Sequence, residues 1–143
     1  MSLSAVRLAL VAVAFHIVAA VVAVVVNLPA QFTTGGPPKD DVGWDVITTG
    51  TALSAPLPPV LGLLMGAWLA SRSGRTRVVG LVLLLLTCVV MTIGWVGEHA
   101  SGIPFEGTRY AIFLVLSVVG ILVTIALVVA VVRELVRSVR SSR

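Results

Sequence analysis

The sequence predicts an all-α membrane protein, a bundle of four transmembrane helices with the second kinked or broken at Pro56–Pro59. Three observations predict it. Only 11% of the 143 residues are charged, against about 25% in a soluble domain. The mean hydropathy is +1.11. The charges gather in short clusters between apolar runs of about 20 residues, the length a helix needs to cross a hydrocarbon core about 30 Å thick. A single integral membrane domain over residues 1–143 follows, because the connections are too short or too rich in Gly and Pro to hold a core of their own. The chain is basic, with a net charge of +4, but its cations flank apolar runs and form no soluble basic face, so no nucleic-acid partner is expected. A lone cysteine, Cys88, excludes an intrachain disulfide and a CxxC pair.

The spans are expected at about 5–28, 46–70, 78–97 and 110–132. Arg7, Arg72, Arg75, Arg77, Arg133, Arg137, Arg140 and Arg143 fall on one set of flanks, and Lys39 and Arg109 on the other. By the positive-inside rule both termini are expected in the cytoplasm, with the acidic loops (Asp40, Asp41, Asp45, Glu98, Glu106) outside. A cleaved signal peptide ending near Leu28-Pro29-Ala30 competes for the first span. The apolar core from Leu8 to Val26 exceeds the usual length of about 7–15 residues and argues against it.

Numbered as heptads from Ala5, the first span places Ala5, Ala12, Ala19 and Val26 at one seam position and Ala9, His16, Ala23 and Ala30 at the other. Ala14 and Ala20 lie off this seam among bulky residues. Small residues at helical repeat let backbones approach closely, which drives helix association in lipid. His16 interrupts the stripe near mid-membrane. It is either neutral packing glue, hydrogen-bonded to the next helix, or a titrating functional group.

The second span carries Pro56, Pro58 and Pro59 near its centre, where prolines remove donors and clash with the preceding turn. The freed carbonyls of Thr51 to Ala55 are candidates to bind a cation or to accept from His16; the simpler reading is a kink that shapes packing. Gly62, Gly66 and Ala70 form a small-residue ladder that marks a close helix crossing. In the third span Gly80, Leu84, Thr87, Met91, Gly94 and Glu98 share a face. The fourth offers Ser117, Gly120 and Thr124. A polar mid-membrane layer of His16, Ser54, Thr87 and Ser117 or Thr124 is therefore expected, beside the break at Pro56.

Trp44, Trp95 and Tyr110 read as outer headgroup anchors and Trp68 as an inner one. Glu98, His99 and Glu106 at the outer rim match no recognised ligand spacing, so no metal is expected. Arg133, Arg137 and Arg140 share a helical face continuing past the last span, and Arg143 follows; these suit anionic lipid. No P-loop, nucleophile elbow or intramembrane carboxylate pair occurs, so neither a cofactor nor an enzyme is expected.

Three function classes follow. The first is a small packing protein, self-associating or an accessory subunit of a larger membrane complex. The second is a proton-linked transporter or channel using His16 and the Pro56 break. The third is an outer-face sensor or metal-binding protein.

Overall fold

The computed structural model describes residues 4–26, 28, 47–48, 50–51, 53–100 and 106–140, the side chains of 98–100 excepted. Four helices organise them: α1 (Ala5–Val25), α2 (Leu57–Ala70), α3 (Gly74–Ala100) and α4 (Gly107–Arg140). They pack in a closed ring, α1 against α2 and α4, and α3 against the same two. Residues Ala5–Val25, Gly74–Gly97 and Gly107–Arg140 are long and apolar enough to cross a membrane. The chain is thus an all-α membrane bundle.

Each helix has a local cause. α1 is almost wholly aliphatic, and the Ser4 hydroxyl caps it by accepting the Arg7 N–H at 3.4 Å. Gly74 starts α3 with φ +63°, closing the tight connection from α2. α4 has 34 residues, about 51 Å at 1.5 Å per residue, so it overruns a hydrocarbon core by several turns.

The second span departs most from a continuous helix. Its break is complete: α2 begins at Leu57 and has 14 residues, about 21 Å, too short to span alone. Pro56 is the N-cap, in extended conformation with φ −62° and ψ 165°. A helix start leaves four N–H groups unpaired, at the N-cap and the next three positions. Pro56, Pro58 and Pro59 fill three of those four and have no N–H. The prolines therefore do not distort a helix interior. They let a helix begin within an apolar stretch with one orphan donor, Leu57, where in lipid each unpaired donor would be costly.

Two apolar clusters form the core. One joins Ala5, Ala9, Ala12 and Val13 of α1 to Leu63, Ala67 and Ala70 of α2, Leu81, Leu84, Cys88 and Met91 of α3, and Leu127, Ala130 and Val131 of α4. The other collects Ala19, Ala23, Leu28, Leu53 and Phe113. Among the described residues, His16, Thr51, Ser54, Thr87 and Ser117 are the buried polar ones.

Candidate functional site

Along α1 the alanine seam faces inward; Val26 at its end is half-buried, and Ala30 lies outside the described residues. Ala5, Ala9, Ala12, Ala19 and Ala23 are buried, and His16 among them is 3% exposed. The ladder of α2 is used inside the same chain. A Cβ at Gly62 would meet the Thr87 Oγ1 at 2.8 Å, and one at Gly66 would meet the Leu84 side chain at 2.8 Å. From the opposite side, Gly80 of α3 rests directly on the Ala70 and Leu69 backbone. These glycines and alanines make one close α2–α3 crossing. Gly120 of α4 holds the Trp95 ring edge and Phe15 against its bare backbone. Trp95, expected as an outer anchor, thus also packs between helices. Tyr110 is exposed at the start of α4, and Trp68 is exposed beneath the Arg72 guanidinium, 4.6 Å from its ring centroid. Trp44 lies outside the described residues.

The polar mid-layer divides into pieces. His16 Nδ1 accepts the Ala55 N–H at 3.1 Å. The bond is thus the reverse of one donated by His16 to a freed carbonyl of the break. Nor are all those carbonyls open to a cation. The Thr51 and Ser54 backbones bond each other, Thr51 N–H to Ser54 O at 3.0 Å and Ser54 N–H to Thr51 O at 3.2 Å. Their hydroxyls meet at 2.9 Å, and Thr51 Oγ1 also takes the Ser54 N–H at 3.1 Å. Gly50, at φ +77°, allows the chain to enter this turn; a Cβ there would lie 2.6 Å from Ser54 O.

Elsewhere the hydroxyls turn back. Thr87 donates to Leu83 O at 2.9 Å, and the half-buried Thr124 donates to Gly120 O at 2.8 Å. Ser117 is buried, with Oγ unpartnered among the described residues. His16 and the Pro56 break are therefore joined, whereas Thr87, Ser117 and Thr124 share no hydrogen bond with them among the described residues.

A polar node missed by sequence reading closes one end of the bundle. Glu134 Oε1 accepts the N–H of Ala5, the first residue of α1, at 2.8 Å; Oε2 accepts from Arg77 Nη2 at 2.7 Å. One carboxylate thus binds the positive end of α1, the start of α3 and its own α4. Burial raises its pKa, but the Ala5 N–H, the Arg77 hydrogen bond and charge, and the Arg137 charge outweigh this and hold it below the ordinary glutamate value. The available signal was that Glu134 is the sole acid on an otherwise arginine-only flank.

Arg133, Arg137 and Arg140 are exposed on the extension of α4; Arg143 lies outside the described residues. Glu98 and His99 belong to the last turn of α3, their side chains outside those described, and Glu106 is exposed just before α4. Among the described residues, no three His, Cys, Asp or Glu side chains gather as metal ligands.

These features define a class, a small all-helical membrane bundle with a polar lock at the break before α2 and an ionic clasp at one end. Comparison with protein-family models, curated proteins and solved structures finds no match.

Proposed function

We propose that this protein works by helix packing, as an accessory subunit of a larger membrane complex or as an assembly of its own copies. The observation that carries this reading is the use made of the mid-membrane polar groups. Thr51 and Ser54 satisfy one another, Thr87 and Thr124 bond their own helices, and His16 fastens α1 to the break before α2. The hydroxyls are thus satisfied locally, His16 alone ties two elements together, and no hydrogen-bonded relay runs between these groups among the described residues. The small-residue seams are occupied within the chain, so association falls to the bulky outer faces, where Val18, Val115, Leu122 and Ile125 stand exposed. In this reading both termini are cytoplasmic, and Arg133, Arg137 and Arg140 meet anionic headgroups.

The test is the native mass of the tagged chain after gentle extraction from its own membrane. A larger membrane protein at fixed ratio, or a defined homo-oligomer, supports packing. A monomer that retains its lipid contradicts it. Transport keeps one supporting observation, the second nitrogen of His16, which has no partner among the described residues. Proton flux in proteoliposomes that disappears in His16→Ala would favour transport over packing.

A further inference from the structure

The mid-membrane lock leaves one group unused. With Nδ1 accepting from Ala55, the imidazole proton sits on Nε2. No described residue accepts that N–H, although His16 is only 3% exposed. The same imidazole forms part of the wall of a cavity of about 230 Å³ between α1 and the segment around the break. The remaining wall is aliphatic, including Ile17, Ala20 and Val21 from α1, and Ile47, Leu57 and Val60 opposite. Ile17, Val21, Ile47 and Leu57 are about half exposed, so the mouth opens sideways toward lipid. Ala20 is one of the two alanines off the α1 seam, and its small side chain among valines widens the gap.

We infer that this cavity binds a neutral, lipid-soluble carbonyl compound about one substituted ring in size, held by a hydrogen bond from His16 Nε2–H. Depth, charge and volume each narrow the occupant. His16 lies eleven residues beyond Ala5, about 16 Å along the helix and close to the bilayer centre. Phospholipid presents only methylene chain at that depth and offers this donor no acceptor. An ionised ligand is excluded by the cost of charge there. A cavity of about 150 Å³ accepts benzene, so the larger one here suits a ring with a few methyl groups. A ketone- or quinone-type carbonyl supplies the acceptor, and its apolar body matches the wall. The inference stands apart from the packing role, since the site lies within one chain.

The test uses the full chain in lipid nanodiscs with ¹⁵N-labelled histidine. The chain has two histidines, His16 and His99, so each ring is resolved. The probes are duroquinone and durene, the same tetramethyl ring with and without carbonyls. Duroquinone is expected to shift the His16 Nε2–H signal saturably while His99 stays unmoved, and to bind about tenfold more tightly than durene. His16→Phe, which keeps an aromatic ring without the donor, should lose that preference. Ala20→Leu, which fills the cavity while retaining His16, should abolish the shift. Any of four results overturns the inference: no shift with duroquinone, an equal shift with durene, a shift that survives Ala20→Leu, or rapid deuterium exchange showing water on the N–H.

Discussion

Nδ1 of His16 accepts the backbone N–H of Ala55 at 3.1 Å, across 39 residues of chain. This bond pins α1 to the non-helical stretch from which α2 starts. His16→Phe leaves the Ala55 N–H unpaired in a water-free layer, and a loss of roughly 1–3 kcal/mol is expected. Ala55→Pro deletes the same donor in the non-helical segment just ahead of the extended Pro56. A double-mutant cycle in a reversible unfolding assay should therefore show coupling, the double variant losing less than the sum of the two. Additive losses would mean that the bond contributes nothing.

Replacing a proline by alanine inside a helix ordinarily stabilises it. At the start of α2 the opposite is expected. Pro58→Ala adds an N–H at the position where the first turn leaves donors unpaired, on an exposed face of α2 that meets lipid rather than water in this reading. A destabilisation of roughly 1–3 kcal/mol should appear in the same assay. A gain in stability would show that the new donor finds a partner.

The α2–α3 crossing predicts an asymmetry between inside and outside. Gly66→Leu drives atoms into Leu84, already 2.8 Å from a built Cβ. It should cost roughly 1–3 kcal/mol or more and loosen the fold. Leu86→Ala on the outer side of α3, 58% exposed, should stay within about 0.5 kcal/mol. Thermal unfolding in detergent compares them, and equal losses would contradict the assigned faces.

Glu134 makes stability pH-dependent. Its folded pKa is depressed, so its contribution is complete above the ordinary glutamate value of about 4.3. That contribution is lost as pH falls through the lower folded value. Unfolding measured from neutral pH down to about 3 should show a decline that Glu134→Gln largely removes, starting from a lower stability. A variant with an unchanged profile would show that the clasp to Ala5 and Arg77 plays no part.

The apolar runs made α1, α3 and α4 legible, because length and hydropathy alone set a membrane helix. The heptad of alanines located the buried face of α1, since small residues pack where bulky ones cannot. The start of α2 was harder. Proline reads as a helix breaker, and only the backbone reveals that Pro56, Pro58 and Pro59 sit where their missing donors help. The direction of the His16 bond was also hidden, because imidazole both donates and accepts. Glu134 lies among arginines on the extension of the last span, where the charge pattern alone names no partner for it. Its partners, Ala5 and Arg77, are 129 and 57 residues away, and no periodicity connects them.

The central claim is that the bundle interior is packed for cohesion and does not conduct. Cys88 tests it most directly, being the native thiol beside Thr87 and 1% exposed. In sealed membranes a water-soluble maleimide should leave Cys88 unmodified from either side, while a cysteine introduced at the exposed position by Arg140→Cys reacts. Rapid modification of Cys88 in the folded protein would reveal a water-filled interior and contradict the account.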